Sequence, residues 1–193
     1  MRLSSPATWY YFCWLVFVLY WLVSAFHRKS TKKRESYLQR MWYTLPMLAG
    51  FWFLYRPEAR YYPWLGVRFV PEGLAWAWVG VAITAAGIAL AIWARWNLGS
   101  NWSGVVTLKE GHELIRKGPY RSIHHPIYTG ILLALVGSAV LIGEVRGLLA
   151  VGVGLLSFYV KARREESFLS QEFGPAFIEH QRHTGMFLPK FSS

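Results

Sequence analysis

Five uncharged stretches divide this chain and confine it to a membrane fold before any motif is considered. They run over 8–26, 41–55, 73–94, 126–143 and 147–160. A helix needs roughly 20 apolar residues to cross the hydrocarbon layer of a bilayer. The first, third and fourth stretches meet that length directly. The second and fifth reach it by drawing in flanks such as Tyr37-Leu38 and Arg146 or Lys161, whose long side chains can extend to the headgroups. The expectation is an all-α, polytopic integral membrane protein with about five transmembrane helices in a single membrane domain, 1–193. Residues 1–94 hold three of them. Residues 95–193 hold a connector over 95–126, a helical hairpin over 126–160 and a tail. Only 16% of the residues are charged, against about 25% in soluble domains, as lipid-facing surfaces require.

Charge then sets the orientation. The net charge of +11 would suggest a nucleic-acid partner in a soluble protein. Here, 16 of the 21 Lys and Arg residues fall in the three alternate segments 28–40, 95–121 and 161–190, so membrane topology accounts for them and no nucleic acid is expected. By the positive-inside rule these segments are cytoplasmic, with the N-terminus outside and the C-terminus inside the cell (inner) membrane. The basic run from Arg28 to Arg34 also suits contact with anionic membrane lipids. Trp9, Tyr10, Tyr61, Tyr62 and Trp64 read as an interfacial belt. All ten acidic residues are Glu, which excludes an Asp-containing triad or an Asp metal ligand. The one cysteine, Cys13, lies in the first apolar stretch and reads as packing.

The residues with chemistry to offer gather beside the hairpin. They are His112-Glu113-Leu114-Ile115, Gly118-Pro119-Tyr120-Arg121, His124-His125-Pro126-Ile127-Tyr128 and Glu165-Glu166. Ionisable groups at a membrane edge are expensive and mark candidate sites. A short turn around Gly143-Glu144 makes the hairpin's two cytoplasmic ends neighbours, one carrying His124-His125-Pro126 and the other Lys161 through Glu166. Pro126 suits a first helical position, which sets His125 at a helix N-terminus whose free N–H groups attract a carboxylate. Glu165 and Glu166 would attract an ammonium or pair with ribose hydroxyls. Tyr120 and Tyr128 offer ring faces to an adenine or a sulfonium. S-adenosylmethionine carries all of these groups. No HExxH or cysteine ligand pattern is present, so no metal site is expected. Gly152-Val153-Gly154 mimics a dinucleotide loop but lies within an apolar span, where close helix packing is the better reading.

From Leu98 to Pro189 the chain resembles the isoprenylcysteine carboxyl methyltransferases and their prokaryotic integral-membrane relatives. The matching pieces are Leu98-Gly99, Asn101-Trp102-Ser103, Gly111 to Ile115, Gly118 to Arg121 and His125-Pro126 with Tyr128. Glu165-Glu166, Leu169, Phe173-Gly174, Thr184-Gly185 and Pro189 follow in order. The resemblance implies that His112, Glu113, Leu114, Ile115, Tyr120, His125, Pro126, Ile127, Tyr128, Glu165 and Glu166 line an S-adenosylmethionine pocket. It also implies a lipid-like or prenylated substrate that enters from the bilayer. Lys161 stands where such enzymes resemble one another in placing an arginine near the substrate carboxylate, so Lys161 and Glu165 are the expected catalytic pair. His124, Lys161, Phe177 and His180 depart from the pattern.

The implied reaction is carboxyl methyl esterification of a prenylcysteine-like acceptor. An alternative is N-methylation of a phospholipid amine, with a Glu as base. Another is an NADPH-dependent membrane reductase of the sterol type, with Arg163-Arg164 at the 2′-phosphate. A non-enzymatic membrane scaffold is a further reading.

Overall fold

The computed structural model describes residues 5–24, 26, 31–55, 62–102, 107–109 and 113–190. Helices α1 (Pro6–Ser24), α2 (Tyr37–Tyr55), α3 (Leu74–Leu98), α4 (Pro126–Ile142) and α5 (Val145–Phe173) occupy the five uncharged stretches, and a short α6 (Pro175–His183) follows. Three segments, α1, α5 and α3 with the turn that continues it to Asn101, are long and apolar enough to cross a membrane; α4 is shorter. α2 carries Pro46 in its interior. One addition to the all-helical expectation is a small antiparallel pairing of β1 (Thr31–Arg34) with β2 (Thr107–Lys109).

A seam of small residues joins α3 to α4. A Cβ on Gly87 would lie 2.4 Å from the Ala134 backbone nitrogen, and one on Gly137 2.4 Å from that of Thr84. A Cβ on Gly80 or Gly130 would lie 2.7 or 2.6 Å from backbone nitrogen across the same seam. Lipid removes the hydrophobic drive for helices to associate, so this close backbone approach and its van der Waals contacts hold the pair. Thr84, Ala91, Ala134 and Ser138 are buried along it. α1, by contrast, exposes Trp9, Phe12, Leu15, Leu19 and Leu22, a surface suited to lipid.

The hairpin turn is fixed from outside. Gly143 takes the left-handed conformation at φ 71° and closes α4 through its N–H to the Ala139 carbonyl. The Arg146 Nε donates to Glu144 Oε2 at 2.7 Å, and its Nη1 reaches the Leu54 carbonyl on α2 at 3.1 Å. At the opposite end the C-terminus of α1 meets that of α3. The Arg95 Nη2 donates to the Ser24 carbonyl at 2.7 Å, and its guanidinium lies 4.5 Å over the Trp102 ring.

The sequence places the end of the fifth span at Val160, but α5 continues to Phe173. Ala162, Arg163, Arg164, Glu165 and Glu166 are good helix formers, and no Gly or Pro intervenes before Gly174. Glu165 and Glu166 therefore lie two turns inside the helix rather than at its C-terminus, and no opposition to the helix dipole arises there.

Candidate active site

The hairpin brings its two polar ends together as the turn requires. Glu165 divides its oxygens between two partners: Tyr128 Oη donates to Oε1 at 2.6 Å, and His125 Nδ1 lies 3.5 Å from Oε2. Glu166 Oε1 lies 3.0 Å from His124 Nε2 and 3.3 Å from His125 Nε2, while Arg163 donates to its Oε2 at 2.9 Å. His125 and Glu166 are buried. The His125 ring stacks on Tyr128 at 5.4 Å, and Tyr128 stacks on Phe158 at 4.8 Å. The result is a ladder of flat rings standing beside two carboxylates.

Electrostatics follow from these contacts. Burial disfavours a charge on His125, but the adjacent Glu165 and Glu166 carboxylates outweigh burial and raise its pKa above the ordinary histidine value. Burial, then the Glu165 charge, raises the Tyr120 phenol, which stays neutral. His180 moves the other way: burial and the Arg116 guanidinium hold it down to about 4.

The segment after α6 covers the histidines. The His124 N–H donates to the Gly185 carbonyl at 3.0 Å, His125 N–H to Met186 at 3.1 Å, and Gly185 N–H to Ser122 at 3.1 Å. Thr129 Oγ1 adds a bond to the Phe187 carbonyl at 2.7 Å. Beside this segment a cleft of about 340 Å³ is lined by Arg116, Arg121, Glu179, His180, His183 and Thr184.

The expected residues divide clearly. Tyr120, His125, Ile127, Tyr128, Lys161, Glu165 and Glu166 come together, with Pro126 opening α4 beneath them. Ile115 packs against the cluster of Trp102, Tyr120, Tyr128 and Phe158. Leu114 is half-buried, whereas Glu113 is exposed and bonded through its backbone N–H to Asn101 Oδ1 at 3.3 Å. His112 lies outside the described residues, as do Tyr61, Ser103, Gly111 and the first residues of the basic run, Arg28 and Lys29.

Lys161 is buried, with its ammonium 5.3 Å from the Tyr128 ring centre and 5.5 Å from that of Tyr43. Tyr43 in turn donates to Glu35, whose Oε2 lies 4.0 Å from Arg164. The N-terminal half, silent about ligands in sequence, thus supplies Tyr43 and Glu35 to the surroundings of Lys161. Glu35 is the first acid in the chain and directly follows Lys32-Lys33-Arg34, a signal that could have singled it out. Tyr43 carries no such mark. His124, which departs from the family pattern, turns inward with its side chain 8% exposed.

The fold and site together define an integral membrane protein of helices with a histidine–carboxylate–tyrosine centre at one end of a helical hairpin. The chain belongs to the phospholipid methyltransferase family, whose model matches residues 75–176, just over half of it. Protein-S-isoprenylcysteine O-methyltransferase A of Arabidopsis thaliana is 31% identical over 85 residues, 44% of this chain and 43% of that protein. The cobalt-zinc-cadmium resistance protein CzcN of Cupriavidus metallidurans is 29% identical over 109 residues, 55% of this chain and 47% of that one. The chain thus spans less than half the length of these relatives. A solved structure of the eukaryotic intramembrane Ras methyltransferase ICMT, isoprenylcysteine carboxyl methyltransferase, superposes with a TM-score of 0.53 over 76% of this chain and 52% of that one. At 23% identity, that likeness is one of fold.

Proposed function

We propose that this protein is an S-adenosylmethionine-dependent methyltransferase acting on a membrane-borne acceptor, and that the acceptor is the carboxylate of a prenylcysteine-like lipid. The observation that carries the reading is the pairing of the His125–Tyr128–Phe158 ring ladder with Glu165 at the shared end of α4 and α5.

The donor set fits the cofactor. The first-turn N–H groups of α4 favour its carboxylate. Glu165 and Glu166 suit its ammonium and ribose hydroxyls, and Tyr120 and Tyr128 offer faces to a cationic sulfur. When bound, the cofactor supplies an electrophilic methyl group. The chain's own task is alignment and exclusion of water. Lys161 can orient an anionic acceptor by its charge, and such an acceptor needs no base. The isoprenylcysteine O-methyltransferase relatives support a carboxylate. An amine headgroup is a second reading, favoured by Glu35 and Glu165 flanking the Lys161 region. The excess of Lys and Arg in alternate segments supports a cytoplasmic position for this end of the bundle at the cell membrane.

Calorimetric titration of the detergent-solubilised protein with S-adenosylmethionine tests the cofactor; absence of binding at millimolar concentration would overturn the proposal. Incubation with methyl-labelled donor and a lipid extract tests the acceptor. A methyl ester releases volatile label on mild alkaline treatment, and label that resists alkali would replace the carboxylate with the amine.

A further inference from the structure

The two histidines beside the ring ladder are arranged in a way that the methyl-transfer reading does not require. His124 Nε2, His125 Nε2 and Glu166 Oε1 converge, with the two nitrogens 3.0 and 3.3 Å from the oxygen. One ligand atom from each of the three residues lies within 4.8 Å of the others. Both His125 Nε2 and Glu166 Oε1 are buried and make no hydrogen bond of good geometry. Two imidazole edges thus crowd one carboxylate oxygen without a proton aimed along either line.

The far side of each group is already held. His124 Nδ1 lies 2.9 Å from Thr184 Oγ1, and that hydroxyl gives its single proton to the His180 carbonyl at 2.7 Å. Thr184 must therefore accept from His124, which fixes the proton on Nδ1 and turns the Nε2 lone pair toward Glu166. His125 presents Nδ1 to Glu165, and Arg163 holds the outer oxygen of Glu166. Histidines that ligate metals characteristically donate their other N–H to a carboxylate or a neutral acceptor, which fixes the tautomer. Tetrahedral zinc with bonds of about 2.0–2.1 Å sets its ligand atoms roughly 3.3 Å apart, close to the two nitrogen–oxygen separations of 3.0 and 3.3 Å.

We propose that His124, His125 and Glu166 form a binding site for a divalent first-row transition ion of the zinc class, with two imidazole nitrogens, one carboxylate oxygen and one open position. Imidazole and carboxylate suit zinc and cobalt. Because His125 and Glu166 also belong to the pocket proposed above, ion and methyl donor would exclude one another; that consequence rests on the methyltransferase reading, whereas the ion site itself does not.

The test uses untagged full-length protein in detergent, stripped with a chelator and titrated with Co²⁺ in the absence of methyl donor. One equivalent is expected, with the intense visible bands of a four-coordinate ion. His124→Ala and His125→Ala are expected to abolish the bands, Thr184→Val to weaken binding about 10–100-fold, and His183→Ala, at an exposed histidine, to leave them intact. X-ray absorption of the zinc-loaded wild type is expected to count two imidazoles, a readout independent of how any variant folds. No saturable band, a band that survives both histidine substitutions, or a shell with fewer than two imidazoles overturns the proposal. Since no donor is present, either result leaves the calorimetric test of methyl-donor binding to stand or fall alone.

Discussion

Gly130→Ala is the sharpest test of the small-residue seam between α3 and α4. The new Cβ would sit 2.6 Å from both the Ala91 nitrogen and the Gly87 oxygen, and 2.9 Å from the Ala91 Cα. All three are backbone atoms inside a helix, so none can rotate away. Ordinary van der Waals contact begins at 3.4 Å, so the two helices must part by about 0.8 Å. A gap of that size forfeits a quarter to a half of each contact's attraction along the seam, and overpacking of this kind costs about 1–3 kcal/mol. Gly152→Ala on α5 supplies the opposite sign, because its Cβ meets nothing within 4 Å. There the gain in helix propensity should stabilise by roughly 0.5–1 kcal/mol. Unfolding in mixed micelles of rising SDS fraction, followed by far-ultraviolet circular dichroism, measures both. If Gly130→Ala unfolds with the wild type, or both variants shift the same way, the packing argument is wrong.

Three further outcomes are expected. Glu165→Gln removes the charge facing His125 and Tyr128 while keeping the side-chain shape, and should weaken S-adenosylmethionine binding at least tenfold, about 1.4 kcal/mol; unchanged calorimetric affinity would remove Glu165 from the pocket. Tyr43→Phe removes the donor to buried Glu35 and should lower stability by about 1–3 kcal/mol in the same SDS titration. His180 should make stability pH-dependent: its folded pKa of about 4 lies below the unfolded value near 6.5, so between those values the unfolded chain binds more protons. Stability then falls as pH drops from about 6.5 to 4, by roughly 3 kcal/mol at most, and His180→Gln should flatten that slope in thermal melts.

The sequence read most clearly where one physical rule dominated. Uncharged length located all five helices, and the short turn at Gly143 forced His125 toward Glu165 without knowledge of any side chain. What escaped depended on distant partners. Glu35 and Tyr43 reach Lys161 only because α2 packs against α5, and no local pattern encodes that contact. The inward turn of the His124 ring depends on Thr184, sixty residues later. The seam of Gly80, Gly87, Gly130 and Gly137 is visible as two glycines seven apart on each helix, and of the Gly152-Val153-Gly154 run only Gly154 packs closely, with a Cβ 2.9 Å from Leu135, while Gly152 meets nothing. The end of α5 was misplaced because apolar content ends at Val160 while helix propensity does not.

The segment 184–187 is stitched by backbone to 122–125 across the top of the hairpin. Synthesis runs from N- to C-terminus, so α4 and α5 reach the bilayer before this segment leaves the ribosome. Until it docks, the backbone N–H groups of His124 and His125 lack their carbonyl partners. Two imidazoles and two carboxylates then wait as a half-built polar surface at the membrane edge. The polar centre is therefore completed late, only when 184–187 has docked.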